Sequence, residues 1–411
     1  MGNVEVVGIE TVAPESYDWT VVSPATGYST DRHALAFTCA IGYDVDVLEV
    51  EAVIGGTALR ASAPESPVNA NGRTVAIEIG TAGLPLRFTL TLRAALASGR
   101  SQALSHIRIR RKPVVVDYEP RLQPVFVICM TRSGSTRLMQ LLAAHPQIVA
   151  GERYPFETYP AKWWLHAAKV GSDPADFRGS IRPNHIDEDP LHVGTPVHHL
   201  IHDPHAFDWM ATEGVVRAGR FALESIDGFY ESYAQSLGKH DVRYFLEKRF
   251  VRPSRPDLAH DVYPHRRELM LVRDMRDVFA SRVAFHRKHH GAAPMGEDPA
   301  TAQRLARSMR RNLEGVLARI ADRQDAVRFV RYEELVTDPG GAIANAMEFL
   351  GLEHPTAAVA SAIAGDGSMG AHVTSGSVQL SVHRWQRDLA PEIVDVIRAE
   401  LDDLNVQLGY V

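Results

Sequence analysis

Over roughly the first hundred residues, apolar and polar positions alternate with period two. "ALAFTCAIGY" (Ala34–Tyr43), "DVLEVEAVI" (Asp46–Ile54), "RTVAIEIG" (Arg73–Gly80), "LRFTLTLRA" (Leu86–Ala94) and "SHIRIRR" (Ser105–Arg111) each put apolar side chains on one face. Turn signals separate them, such as Gly55–Gly56 and "NANG" at Asn69–Gly72. The spacing predicts six or seven short strands with no helix-length apolar stripe, which is the pattern of an all-β, immunoglobulin-like sandwich. No catalytic cluster interrupts it, so an interaction or structural module is the expectation for residues 1–118.

"KPVVVDYEPRLQP" (Lys112–Pro124) reads as a connector, with three prolines bracketing it. Beyond it the pattern changes. Apolar runs "VFVICM", "VRYFLEK", "ELMLVRD" and "AVRFVRYEEL" alternate with helical stretches, which predicts a mostly parallel sheet flanked by helices. "TAQRLARSMRRNLEGVLARIADR" (Thr301–Arg323) carries apolar residues at helical spacing, and its arginines read as a solvated face. Two later helices follow, the first closed by Gly351. The expected architecture is a three-layer α/β/α domain over residues 119–411, preceded by the sandwich.

Composition narrows the function. With 45% hydrophobic and 23% charged residues, the 411-residue chain fits an ordinary globular protein of two domains. A formal charge of −6 argues against a general nucleic-acid binder. The two cysteines, Cys39 and Cys129, fall in different predicted domains, so neither a disulfide framework nor a cysteine metal site is expected. Residues 1–10 lack the basic start and apolar core of a signal peptide, and no apolar run reaches the ~20 residues that span a bilayer. A reducing, cytoplasmic setting is the expectation. Oligomeric state stays open, a homo-oligomer included.

Candidate chemistry begins at "PVFVICMTRSGSTRLMQLLAAHP" (Pro124–Pro146), a buried strand, a small polar loop and a helix. A strand-to-helix turn of small residues exposes backbone N–H groups at a helix N-terminus, where an anion is favoured. Gly134 permits close approach, Ser133, Ser135 and Thr136 add hydroxyls, and Arg132 supplies a forked permanent charge. On these residues alone, a helix simply capped by Ser or Thr remains an alternative. The Walker pattern GxxxxGK[ST] is absent, and the only Gly-Lys pair, Gly238–Lys239, is out of place, which weighs against a nucleotide kinase or triphosphatase. A second strand, "ELMLVRDMRDVFAS" (Glu268–Ser281), ends in Arg273 at the rim where open α/β sheets bind ligands, with Ser281 further along the helix. Arg276 and Asp277 read as a surface pair. The two loops together point to one ligand with two separate anionic ends.

These residues resemble the sulfotransferases that use 3′-phosphoadenosine 5′-phosphosulfate (PAPS). In that family a loop of the form [KR]-S-G-[ST]-[ST] holds the 5′-phosphosulfate, matching Arg132 to Thr136. A strand ending L-V-R-D-P-R-D, followed by a serine, holds the 3′-phosphate, matching Arg273 and Ser281, with Met275 in place of the proline. "RYEELVTDPGGAIANAMEFLGL" (Arg331–Leu352) is similar to the family's Y-E-D-L…FLG segment. "SVHRWQRDL" (Ser381–Leu389) is similar to the R-W-R-x-x-L loop that closes over the nucleotide. The resemblance covers about residues 124–411 and leaves out the sandwich.

The resemblance implies a cofactor-binding set of Thr131, Arg132, Ser133, Gly134, Ser135, Thr136, Arg273, Ser281, Arg384 and Trp385. PAPS is then the co-substrate, 3′-phosphoadenosine 5′-phosphate (PAP) the product, and no metal is required. Sulfuryl transfer to a hydroxyl wants a general base and fixed cations. "VAGERYPFETY" (Val149–Tyr159) matches the spacing of glycan-type members, making Glu152 the expected base and Glu157 its substitute. Lys248, similar to the family's E-K-[ST] lysine but followed by Arg249, and Arg132 are the expected catalytic cations. The run "HVGTPVHHLIHDPH" (His192–His205) offers a histidine base, as in small-molecule members, although a loop or acceptor-site wall is the plainer reading. The segment from about Tyr154 to His240 carries Trp163, Trp164, Trp209, Tyr230 and Tyr233, aromatics that suit a sugar face or a lipid-like pocket. The expected acceptor is a hydroxyl-bearing glycan, glycoside or other small molecule. A lipid sulfotransferase with a histidine base and a non-catalytic PAP-binding adaptor are the competing readings.

Overall fold

The structure, a computed structural model, describes residues 2–14, 17–42, 46–55, 57–62, 73–151, 156–172, 204–249, 257–290, 295–353, 357–364, 374 and 377–410. The turn at Asn69–Gly72, Glu152, and His192, His198, His199 and His202 lie outside the described residues. The chain forms two compact units. One contains Met1–Pro120, Pro160–Ile226 and Ser254–Pro264; the other contains Arg121–Tyr159, Asp227–Pro253 and His265–Val411.

In the first unit, the described residues of the N-terminal segment form nine strands: β1 (Val4–Thr11), β2 (Trp19–Ser23), β3 (Ser29–Thr30), β4 (Ala34–Ile41), β5 (Val47–Ile54), β6 (Thr57–Ser62), β7 (Arg73–Gly80), β8 (Arg87–Leu96) and β9 (Ser101–Arg111). They make a six-stranded sheet, β3-β1-β9-β8-β5-β6, and a three-stranded sheet, β2-β4-β7. All the pairings are antiparallel. Period-two patterning explains the core: Leu35, Phe37, Cys39 and Ile41 of β4 and Val75, Ile77 and Ile79 of β7 face Leu90, Leu92 and Ile107 of the larger sheet. Trp19 of the small sheet donates its indole N–H to Ser105 Oγ of the large one, 2.9 Å away. The alternation thus predicted the sandwich; β1, β2, β3 and β6 are strands beyond those read from the sequence.

At the end of β9, Arg111 pairs with Asp261 at 2.7 Å, both side chains 0% exposed. Asp261 also accepts the Gly83 N–H (2.9 Å), and Arg111 donates to Leu84 O and Lys112 O. A buried pair with its remaining donors and acceptors occupied holds the β7–β8 connection.

The second unit is a parallel five-stranded sheet with order β11-β12-β10-β13-β14. Its strands are β10 (Gln123–Cys129), β11 (Ile148–Ala150), β12 (Tyr244–Arg249), β13 (Arg267–Val272) and β14 (Val327–Arg331). The α-helices among the described residues are α1 (Ser135–Ala143), α2 (Pro160–Ser172), α3 (Pro204–Trp209), α4 (Val215–Ser236), α5 (Ala259–Val262), α6 (Met275–His290), α7 (Pro299–Ile320), α8 (Tyr332–Thr337), α9 (Pro339–Leu350), α10 (Ala357–Ala364), α11 (Trp385–Asp388) and α12 (Pro391–Gln407).

The continuous apolar runs of the parallel strands follow from burial on both faces. Val125, Val127, Leu269 and Leu271 pack with Leu138, Leu142, Ile343 and Met347 of α1 and α9. Ile128, Met270 and Val272 pack on the opposite face with Phe279, Met309, Ile397 and Leu401 of α6, α7 and α12. The result is the expected three-layer α/β/α arrangement. Gly351 ends α9 in the left-handed conformation (φ 65°), as its position suggests. The arginines of α7 do more than face solvent: Arg307 meets Glu400 and Arg310 meets Asp403, tying α7 to α12. Among the described residues, no helix is long and apolar enough to cross a membrane.

Candidate active site

The site forms in the second unit at the C-terminal ends of β10, β12 and β13, where the turns into α1 and α6 bring main-chain N–H groups together. After β10 the chain turns sharply. Arg132 (φ 72°) and Gly134 (φ 91°) both take left-handed backbone, and Ser133 closes the turn through Oγ to Met130 O at 2.7 Å. Arginine pays a conformational cost in that region that glycine does not. Gly134 is the N-cap of α1 and has no side chain to bond the first-turn amides, so the Ser/Thr-capped alternative is not the one adopted. The helix N-terminus therefore keeps its capacity for an external anion. A Cβ on Gly134 would lie 2.2 Å from the Tyr332 ring, so only glycine lets the turn pack there.

Arg273, at the end of β13, is the hub. Its Nη1 donates to Arg132 O at 3.0 Å, its Nη2 donates to Ser381 O, and its guanidinium lies 4.3 Å from the Tyr332 ring centroid. The Tyr332 hydroxyl is 2.7 Å from Ser381 Oγ. Arg132 reaches the α6 side: its Nε is 3.4 Å from Ser281 Oγ and its guanidinium stacks 4.5 Å from the Phe285 ring. The two guanidinium-bearing residues expected to grip one bis-anionic ligand thus share a rim. Among the described residues, two buried donors there lack a hydrogen-bond partner, Arg273 Nε and Trp385 Nε1. Orphaned donors, with no orphaned acceptor beside them on this rim, suit an anionic group.

On the other side of the loop, Lys248 of β12 places its Nζ 3.1 Å from Thr136 Oγ1 and 3.4 Å from Glu157 Oε1. The lysine side chain is 1% exposed and that of Glu157 is 45% exposed. Arg249 lies on the opposite strand face, its guanidinium 4.3 Å from the Phe126 ring, so it does not crowd Lys248. Cys129 sits beneath the loop, and burial pushes its thiol pKa up.

The C-terminal segment docks on α6. Arg384 is bonded to Thr374 Oγ1 (2.8 Å) and to Asp388 (2.7 Å), and Thr374 Oγ1 is 3.5 Å from Ser281 Oγ. Trp385 covers Arg276, 4.6 Å from its ring centroid. Arg276 pairs with Asp274 at 2.7 Å rather than with Asp277, which is fully buried instead. Burial pushes the Asp277 carboxyl pKa up, against the lowering effect of the Trp385 N–H, Arg273 and the His383 N–H. Met275 opens α6 and uses its N–H, 2.9 Å from Asn405 Oδ1, a bond that proline could not make.

Of the sequence-predicted residues, the structure gathers Arg132, Ser133, Gly134, Ser135, Thr136, Glu157, Lys248, Arg273, Ser281, Arg384 and Trp385 in one unit. Thr131 precedes the turn on its exposed side. Tyr230 is not surface-lining: it is buried and donates to Glu247 Oε1 at 2.7 Å. Sequence reasoning missed Thr374, Asp277 and the bracing role of Tyr332. Asp277 and Tyr332 stood in recognised motifs, whereas Thr374 stood in none.

The sequence model described as the sulfotransferase family matches residues 124–356, more than half of the chain. No curated protein matches. Among solved structures, the chain is similar to the sulfotransferase domain from the curacin biosynthetic pathway (13% identity, TM-score 0.40, covering 71% of this chain and 99% of that one). It is also similar to mouse sulfotransferase SULT7A1 complexed with PAP (11% identity, TM-score 0.38, 71% and 89%). Sulfotransferase STF9 from Mycobacterium avium is a third (14% identity, TM-score 0.38, 71% and 78%). These superpositions are too loose to carry residue-level argument, and family membership rests on the match across the loop, the Arg273 strand and the Tyr332 segment. The chain belongs to the sulfotransferase family.

Proposed function

We propose that the chain sulfates a hydroxyl of a carbohydrate or glycoside, with residues 119–411 as the catalytic domain and residues 1–118 as an accessory sandwich. PAPS supplies an activated sulfuryl group. As the acceptor oxygen bonds to sulfur and the sulfur–oxygen bond to the 5′-phosphate breaks, a carboxylate takes the acceptor proton. Glu152 is the proposed base. Arg273 and Ser281 would hold the 3′-phosphate, with Arg384 and Trp385 over the nucleotide. Thr131 to Thr136 would hold the 5′ end. Lys248 and Arg132 would balance the charge that spreads over the transferring oxygens and the leaving phosphate.

The observation that carries this reading is the arrangement around a single loop. Arg273 bonds the main chain of Arg132 on one side, and Lys248 meets Thr136 on the other. One observation favours a second assignment of the base: among the described residues, Glu157 is a carboxylate beside the cation, 3.4 Å from Lys248. Two free buried thiols are compatible with the reducing cytoplasm as its location.

The test is transfer from labelled PAPS to panels of glycans, lipids and aromatic alcohols, with and without residues 1–118. Glu152→Gln is expected to keep PAPS affinity and lose rate, whereas Arg132→Ala loses both. If Glu157→Gln alone loses the rate, the base is reassigned. If labelled PAPS binds but no acceptor is sulfated, the non-catalytic adaptor replaces the enzyme.

A further inference from the structure

Asp277 lies in the first turn of α6 and is 0% exposed. Its two carboxylate oxygens accept two main-chain N–H groups from the C-terminal segment: Oδ2 from His383 at 2.8 Å, and Oδ1 from Trp385 at 3.0 Å. More than a hundred residues separate these partners in sequence. The segment they hold is bent there, with His383 in left-handed backbone (φ 51°), which a histidine adopts only when its surroundings impose it. The same bend puts the Trp385 ring over Arg276, and its neighbour Ser381 accepts from Arg273. Arg384, between the two anchored amides, reaches Thr374, whose hydroxyl is 3.5 Å from Ser281 Oγ.

We propose that Asp277 is a positioning residue of the cofactor site: its carboxylate pins the His383–Trp385 bend onto α6. The segment that carries Arg384 and Trp385 is thereby fixed in register with Arg273 and Ser281. This rests on the reading of that rim as the nucleotide site. The physical reason is geometric. A carboxylate has two acceptor oxygens in one plane and can satisfy two convergent N–H groups at once, and each bond to a charged acceptor is stronger than a neutral one. A surface pairing with Arg276 would do none of this, and Arg276 is already occupied by Asp274. Arg273 lies close enough to Asp277 to act on its charge, so the group that anchors the segment and the group that meets the phosphate are electrostatically joined.

The experiment uses the full chain and PAP as the probe. Hydrogen exchange is followed in peptides spanning 377–390 and, as an internal control, 123–143, for the wild type, Asp277→Asn and Asp277→Ala. Both variants are expected to exchange faster across 381–388 with the control peptide unchanged. PAP affinity is expected to fall about ten-fold in Asp277→Asn, the loss of one charged hydrogen bond, and further in Asp277→Ala. In turnover, KM for PAPS rises while kcat at saturating PAPS changes less than about three-fold, a split that general unfolding would not give. Should Asp277→Ala fail to fold, Asp277→Asn keeps one oxygen acceptor and the same volume and carries the test. Wild-type exchange at 381–388 with wild-type PAP affinity in Asp277→Asn overturns the proposal. Absence of PAP binding by the wild-type chain overturns the nucleotide reading itself, which is a different outcome.

Discussion

Arg273 donates through Nη1 to the main-chain carbonyl of Arg132, 3.0 Å away, joining the end of β13 to the turn that precedes α1. The bond makes the two expected anion-binding loops one surface, and it spends only part of the guanidinium, whose Nε stays without a partner among the described residues. Lysine cannot bridge two carbonyls and still present a planar donor to an anion. Arg273→Lys is therefore expected to weaken PAP binding at least ten-fold in calorimetry, with the circular dichroism spectrum preserved. Undiminished affinity would remove Arg273 from the 3′-phosphate role.

Gly134 meets two constraints at once, a φ of 91° and the Tyr332 ring in the space of a Cβ. Left-handed backbone costs an L-residue about 1–2 kcal/mol, and overpacking typically adds ~1–3 kcal/mol. Gly134→Ala should lower the urea midpoint accordingly and abolish PAP binding. Adding Tyr332→Ala should relieve the clash but not the backbone cost. Full recovery in the double variant would show that backbone conformation is irrelevant at this position.

The Arg111–Asp261 pair is fully buried and its hydrogen bonds are distributed over Gly83, Leu84 and Lys112. Removing one partner leaves an uncompensated buried charge, a loss of about 3–5 kcal/mol. Arg111→Met is expected to show that loss in urea unfolding. The double variant Arg111→Met/Asp261→Leu should recover much of it, and a double variant no more stable than the single would count against the electrostatic account.

Both cysteines are free and buried, and burial raises the Cys39 thiol pKa to about 12. Neither thiol should react with iodoacetamide at pH 8 in the native protein, and both should react in denaturant. The same shift sets a sign for stability. The folded state holds the Cys39 proton more tightly than the unfolded chain, whose thiol titrates near 9, so stability falls as pH rises from about 9 to about 12. Cys39→Ala should flatten that limb of the pH–stability curve; an unchanged slope would assign it to other groups.

The apolar runs of β10, β12, β13 and β14 were legible because strands buried on both faces must be apolar throughout, and the small-residue loop after β10 announces its phosphate-type turn locally. β11 was not, because Ile148–Ala150 is too short to show a period. Arg276 and Asp277 looked like an ordinary surface pair because neighbours in sequence are the only partners a sequence displays. Arg276 instead takes Asp274, two residues back, and the partners of Asp277, the amides of His383 and Trp385, depend on where the C-terminal segment comes to rest against α6.

The sequence by itself determined the period-two sandwich, the parallel sheet and the charged residues at its strand ends, since these follow from local alternation and turn chemistry. Only the tertiary structure decided that Tyr332 braces Gly134 and Arg273, that Thr374 meets Ser281, and that Asp277 is buried under a distant bend. Strand order and helix docking bring these groups together across scores of residues, and a contact made by folding leaves no spacing in the chain to read.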